Sequence, residues 1–262
     1  MEGTKRFAVV GQDARQAAAG RALAAAGYAV GGAEQVPRAD YLLLPLPLEA
    51  EGTALGELLG AARPGTLALG GRVSAAAKTL ARQAGVELVD YFARPELAVY
   101  NAIPTAEGCI ALLMQHRRRT LWGSGVLLLG FGTVGQALGQ RLAGLGAQVT
   151  VAARRAQQRA LAESLGLRAV PLDRLETAAT DTVVNTIPAP VLDRRRLGSL
   201  PAGSLIVDLA SKPGGTDFAA AACLGHHAIH ALSLPVVCAP ETAGEAVART
   251  VQAILREREE IL

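Results

Sequence analysis

Aromatic residues make up only 3% of the chain. None is interleaved with its two arginine runs, Arg117-Arg118-Arg119 and Arg194-Arg195-Arg196, which speaks against a nucleic-acid surface. Cysteine is confined to Cys109, Cys223 and Cys238, an odd and widely spaced set that gives neither a disulfide framework nor a C-x-x-C site. His226, His227 and His230 sit close together, but no Cys, Asp or Glu stands at ligand spacing beside them, so no metal is expected. The chain lacks an unbroken apolar run of about 18 residues, the length a membrane-crossing helix needs. Its start, Met1-Glu2-Gly3-Thr4-Lys5-Arg6, does not resemble a signal peptide. A cytoplasmic protein without membrane or nucleic-acid partners is the expectation. Lysine is scarce too: of 26 basic residues only Lys5, Lys78 and Lys212 are lysine, and asparagine occurs only at Asn101 and Asn185. Under such a drift toward arginine and alanine, an ammonium or a planar amide persists where the substitute fails, which points to Lys212, Asn101 and Asn185.

What is present centres on Val126 to Arg155. Val126-Leu127-Leu128-Leu129 is a strand-length apolar run, Gly130-Phe131-Gly132-Thr133-Val134-Gly135 matches G-x-G-x-x-G, a helix pattern follows, and Val149-Thr150-Val151 is the next strand. Gly130 suits the tight turn, Gly132 a close backbone approach to a pyrophosphate, and Gly135 close helix–sheet packing; the new helix N-terminus faces the phosphates. The second strand ends Ala152-Ala153-Arg154-Arg155, where an NAD site would carry an acid. A guanidinium there can bind a 2′-phosphate, so Arg154 and Arg155 favour NADP(H).

The rest of the chain alternates strands with helices, which implies an α/β protein with parallel sheets. Strands are read at Phe7–Val10, Tyr28–Val30, Tyr41–Leu44, Thr66–Leu69 and Val86–Val89, with helices over 15–26, 53–62 and from the Ser74 cap to Ala84. These make one doubly wound, flavodoxin-like domain, residues 1–120, expected to carry substrate and catalytic groups. A helix opening at Pro104 leads to a joint near Trp122-Gly123. The second domain, 121–240, is a Rossmann nucleotide-binding domain with later strands near Ala169 and Ala228 and over Asp181–Ile187 and Ser204–Leu209. The helix over 241–262 is expected to return and pack on the first domain.

Ligands of open α/β sheets collect at the carboxyl ends of the strands. The polar clusters there are Tyr91-Phe92-Ala93-Arg94-Pro95-Glu96, Asn101 to Gly108, Asn185-Thr186-Ile187-Pro188 and Asp208 to Asp217. With Asp13-Ala14-Arg15-Gln16 and Gly130 to Gly135, these blocks make the chain resemble the A subunits of dipicolinate synthase over nearly its whole length. The long block Asp208-Leu209-Ala210-Ser211-Lys212-Pro213-Gly214-Gly215-Thr216-Asp217-Phe218 is the most specific. The resemblance implies a sporulation enzyme that works with a flavoprotein-like B subunit. The implied reaction oxidises the dihydrodipicolinate formed from 4-hydroxy-tetrahydrodipicolinate, giving dipicolinate and NADPH. The chain departs from the family at Val236-Val237, where a Gly-Lys-like pair is usual, and at Glu241, where a basic residue is.

The residue chemistry suits a dicarboxylate. Arg94, Thr105, Ser211 and Lys212 are candidate carboxylate partners, and Gly214-Gly215 resembles an anion-binding nest. Asn185, Thr186, Ile187 and Pro188 are expected beside the nicotinamide and its ribose, and Lys212 or Glu107 is the candidate acid–base group. Each has a plainer reading: Arg94 as a loop ion pair, Glu107 as half of a capping box with Thr105, Asp208 as a loop-orienting group, Asp217 as an N-cap. Two other functions stay open: a shikimate-dehydrogenase-like or hydroxyacid dehydrogenase, and a nucleotide-binding subunit of a heteromeric complex whose partner does the chemistry. A homo-oligomer is also expected.

Overall fold

The computed structural model describes residues 4–48, 55–175 and 180–259. The chain divides into two compact units, Met1–Asn101 with Ala239–Leu262, and Ala102–Cys238. The first holds β1 (Arg6–Val9), α1 (Ala14–Ala25), β2 (Ala29–Gly31), β3 (Tyr41–Leu43), α2 (Leu55–Gly60), β4 (Leu67–Gly70), α3 (Ala75–Gln83) and β5 (Glu87–Asp90). All five strands are parallel, in the order β2-β1-β3-β4-β5. That is the flavodoxin order, with its switch point between β1 and β3. Helices cover both faces, so central strands need apolar side chains on each side; β4 is buried at all four positions. Ser74 starts α3 by accepting the Ala77 N–H at 3.1 Å, as its side chain suggests. Thr53, placed in the second helix by its sequence pattern, lies outside the described residues.

The next helix, α4 (Pro95–His116), corrects one expectation. It opens at Pro95, not Pro104, and continues through Pro104. A proline is well suited to the first helical turn, and an interior proline costs one hydrogen bond and some bending. Here Leu97, Ala102, Ala106, Cys109 and Leu113 are all buried, and that burial offsets the cost. Thr105 and Glu107 therefore stand mid-helix, so no capping box forms. The unit boundary falls inside α4, after Asn101, well before the joint expected near Trp122. By length and composition α4 could also cross a bilayer. Leu97 belongs to the first unit's core, and Ala106, Cys109 and Leu113 to the second's.

The second unit runs β6 (Gly125–Leu129), α5 (Thr133–Gly144), β7 (Gln148–Ala153), α6 (Ala156–Ser164), β8 (Arg168–Pro171), β9 (Thr182–Asn185), α7 (Arg194–Leu197), β10 (Leu205–Asp208), α8 (Phe218–Cys223), β11 (His227–His230) and α9 (Leu234–Cys238). Its six strands are parallel and ordered β11-β10-β9-β6-β7-β8, the Rossmann arrangement with the switch point between β6 and β9. Strands β9 and β10 are buried throughout. The chain then returns to the first unit as α10 (Pro240–Glu259), which lies along α1. Gly244 permits the close crossing: a Cβ there would lie 2.4 Å from the Arg15 carbonyl oxygen. Val247, Val251 and Ile254 of α10 join the core built on Phe7 and Leu23.

Candidate functional site

The carboxyl ends of β6, β9 and β10 meet in one hydrogen-bonded scaffold. Gly130 follows β6 with φ +89°, where a side chain would be strained. Gly135, one turn into α5, abuts that turn so closely that a Cβ would sit 2.4 Å from the Gly130 carbonyl oxygen. Gly132 opens α5 and faces open space, so its backbone is free to approach a ligand. Phe131 is fully buried and anchors the loop, while Thr133 is exposed beside Gly132. Val134 is half-buried. This cradle has the shape, the open backbone and the helix N-terminus that a dinucleotide pyrophosphate requires.

The β9 end is tied to it. The Thr186 hydroxyl donates to the Leu129 carbonyl at 2.9 Å, so Thr186 fixes the two strand ends together. Asn185 is fully buried: Nδ2 donates to Asp208 Oδ1 at 2.9 Å and to the Ile187 carbonyl at 3.1 Å, and Oδ1 accepts the Ile187 N–H at 3.0 Å. An amide so enclosed cannot touch a nicotinamide; Asn185 is a positioning residue that sets the path of Thr186, Ile187 and Pro188. Pro188 is exposed and Ile187 half-buried at that edge.

Asp208, at the end of β10, is the hub. Its fully buried carboxylate accepts from Asn185, from the Ala210 N–H at 3.0 Å and from the Gly215 N–H at 2.8 Å. The Gly214-Gly215 nest thus holds an anion, and the anion is this chain's own Asp208. Gly215 has no room for a side chain, since a Cβ would lie 2.4 Å from Asn185 Nδ2. The segment past it pairs with the loop after β9 through the Val191 and Leu192 N–H groups, both bonded to the Gly215 carbonyl. Asp217 caps α8, accepting the Ala220 N–H at 2.9 Å. Between the two anchors, Ser211, Lys212 and Pro213 stand exposed on a turn. Sequence reasoning gave His230 no part in this turn: its Nε2 bonds the Ala210 carbonyl at 2.9 Å and its ring stacks on Phe218, bracing the far side of the same turn. Among the described residues no group of three or more potential ligands could hold a metal.

Arg154 and Arg155 are exposed just after β7, and among the described residues neither joins an ion pair. Arg159, which sequence reasoning missed, folds back to donate to the carbonyls of Ala153 at 3.0 Å and Arg154 at 2.8 Å. Helical side chains lean toward the N-terminus, so an arginine one turn beyond Arg155 was the available signal.

The remaining candidates are placed differently. Glu107 is exposed and lies 3.8 Å from Arg141 Nε; Thr105 is on the same helix, half-buried. In the first unit, Arg94 is held by Glu96 at 2.7 Å and by both carboxylate oxygens of Glu257. These bonds, Glu257's first, raise the Arg94 pKa above its ordinary value, and Arg94 in turn holds the Glu257 carboxyl below the usual carboxylate range. The plainer reading of Arg94, a loop ion pair, describes its contacts. Cys109 is fully buried, and burial pushes its thiol up to about 12, which leaves it a packing residue.

Comparison with known proteins bears on the fold and the family. Residues 107–234 match the family model described as the NAD binding domain of D-isomer specific 2-hydroxyacid dehydrogenases. The crystal structure of the dipicolinate synthase A chain from Bacillus subtilis superposes with a TM-score of 0.86 and 32% identity, over 100% of this chain and 99% of that one. The chain belongs to the A-component family of dipicolinate synthases. The crystal structure of the same component from Bacillus halodurans matches at a TM-score of 0.85 and 29% identity, over 97% of this chain and 99% of that one. The A component of Bacillus subtilis (strain 168) is 41% identical over 182 residues, 69% of this chain and 61% of that protein, so the sequence match spans about three fifths of the relative's length. The family and its dehydrogenase domain place the chain among the nicotinamide-dependent oxidoreductases, with a Rossmann unit that takes a nicotinamide cofactor.

Proposed function

We propose that this chain catalyses the NADP-dependent oxidation of dihydrodipicolinate to dipicolinate, as the A component of a spore-forming cell's dipicolinate synthase, in the cytoplasm and together with a flavoprotein-like B subunit. The observation that carries the reading is the Asn185–Asp208–Gly215 scaffold, which fixes an exposed Ser211-Lys212 turn at the carboxyl edge of the sheet that bears the Gly130 cradle. The nicotinamide, when bound, accepts hydride from a ring carbon. The chain's own work is to grip the phosphates with Gly130 to Gly135, to meet the 2′-phosphate with Arg154 and Arg155, and to orient the acid. Lys212 and Ser211 are assigned to a substrate carboxylate, with Thr105 as a further donor. The proton lost as the ring aromatises passes to Lys212 or Glu107. An ammonium that pairs with the carboxylate cannot also take this proton, so the two roles of Lys212 are alternatives, and Glu107, beside Arg141, is the acceptor when Lys212 holds the carboxylate. Arg94 is assigned to shaping the loop before α4. The same chain is proposed to self-associate as well.

A hydroxyacid substrate is the second reading, favoured by the dehydrogenase family of the nucleotide domain. Lys212→Ala tests the placement of the substrate. Because Lys212 is exposed, the fold should tolerate the change; kcat/KM for dihydrodipicolinate should fall by about a hundredfold, while NADPH affinity stays within about twofold. Equal losses in both, or none in either, would remove Lys212 from the substrate site.

A further inference from the structure

The Asp13-Ala14-Arg15-Gln16 block is absorbed by neither the nucleotide cradle nor the Lys212 turn, and its placement in the first unit is unusual. Arg15 sits on the first turn of α1, at the carboxyl end of β1 and beside the β1/β3 switch point, where ligands of such sheets collect. It is 9% exposed, a rare burial for arginine. Nη2 is committed to Asp13 Oδ2 at 2.8 Å and to the Leu46 carbonyl at 2.5 Å. Nε is buried with no partner, and among the described residues no hydrogen bond reaches Nη1. The neighbouring Gln16 is 1% exposed and its Oε1 also lacks a partner, although its Nε2 ties β1 to β3 through the Val10 and Leu43 carbonyls. A buried guanidinium with donors unspent is costly to maintain for structure alone.

The surroundings carry charges of both signs. Asp13 spends Oδ1 on capping α1 through the Gln16 N–H, at 2.8 Å, so its one charge is shared between the cap and Arg15. The α1 N-terminus contributes its dipole. Arg72 lies on the loop after β4, which is laced to the Leu46 loop: the Leu48 N–H bonds the Gly71 carbonyl at 2.9 Å. Arg72 holds φ +58°, a conformation that non-glycine residues seldom adopt, and its backbone N–H is pinned by Asp90 Oδ1 at 3.1 Å. Its guanidinium lies over the Phe92 ring and, among the described residues, enters no ion pair.

We infer that Arg15 is the seat of a carboxylate-binding site at the switch point of the first unit's sheet, with Arg72 as a second cation, and that it takes a small organic dicarboxylate. Asp13 and the Leu46 carbonyl fix the plane of the guanidinium, and its remaining N–H groups meet one carboxylate. The choice of dicarboxylate rests on the proposed reaction; the anion site itself does not.

The test is binding of three probes to the full chain: dipicolinate, isophthalate (the same diacid without the ring nitrogen) and pyridine. Both diacids should bind and pyridine should not. Arg15→Gln should weaken both diacids by at least about tenfold, and Arg15→Lys, which keeps a cation but loses the planar fork, by about fivefold. Arg72→Gln, a surface change, should cost about threefold, and NADPH affinity should move less than about twofold in all three variants. Should Arg15→Gln fail to fold, Arg15→Lys and Arg72→Gln carry the comparison. Diacid binding unchanged by these variants, or no diacid binding by the wild-type chain, overturns the site. Arg15-dependent binding of isophthalate without dipicolinate would keep the anion site and remove dipicolinate as its ligand.

Discussion

Replacing Asp208 with Ala should unfold the nucleotide-binding unit at markedly lower temperature and abolish its cofactor binding. The carboxylate is fully buried and accepts three hydrogen bonds, from Asn185 Nδ2, the Ala210 N–H and the Gly215 N–H. Removing it leaves three donors without partners in a dry interior, where each unmade bond costs about 1–3 kcal/mol. Some rearrangement is expected, so a net loss of about 4 kcal/mol is the estimate. For a unit of this size that corresponds to a fall in Tm of roughly 10–15 °C. Asp208→Asn keeps the volume and one acceptor but cannot serve all three donors, and should lose about half as much. Calorimetry of the full-length chain reads the effect. A melting profile unchanged in both variants would mean that the turn carrying Ser211 and Lys212 is not held in this way.

The second large effect belongs to Gly135. Its Cβ in Gly135→Ala would lie 2.4 Å from the backbone oxygen of Gly130, a contact no rotamer change can relieve. Either the first turn of α5 moves away from β6 or the Gly130 turn reopens, and both displace the N–H groups that receive the phosphates. NADPH affinity should fall by at least about a hundredfold, because orientation and dipole are lost together. Gly132→Ala is the internal comparison. Nothing lies within 4 Å of a Cβ there, so the fold should be untouched and only the approach of a ligand obstructed. Fluorescence titration with NADPH, run beside thermal melting, separates the cases: Gly135→Ala should lose affinity and stability, Gly132→Ala affinity alone. Wild-type affinity in both variants would put the nucleotide elsewhere.

The two sheets were legible because burial between helices demands continuous apolar strands, and Val126–Leu129 and Tyr41–Leu43 supply them where β6 and β3 form. The glycine motif was legible because its spacing encodes backbone sterics, and Gly130 and Gly135 meet as that spacing requires. Helix α4 was misread at its start: Pro104 is a strong local stop signal, and only the burial of Leu97, Ala102 and Ala106 overrides it. Asn185 was singled out by its rarity and expected beside the nicotinamide, but its partner is Asp208, a residue 23 positions away. No local pattern specifies a pairing between adjacent strand ends. Arg94 was a strand-end cation by position, but Glu257 reaches it from α10, far along the chain. Lys212 was legible as an uncommon residue in an uncommon block, and the structure sets it on an exposed turn between two anchored strand ends.

The most direct measurement supplies dihydrodipicolinate and NADP to the purified chain, alone or with the B subunit, and follows the near-ultraviolet absorbance of reduced nicotinamide against dipicolinate formed. The account predicts one NADPH for each dipicolinate, with NADP used in preference to NAD. Dipicolinate accumulating without NADPH, or no oxidation by the chain in either setting, would contradict it.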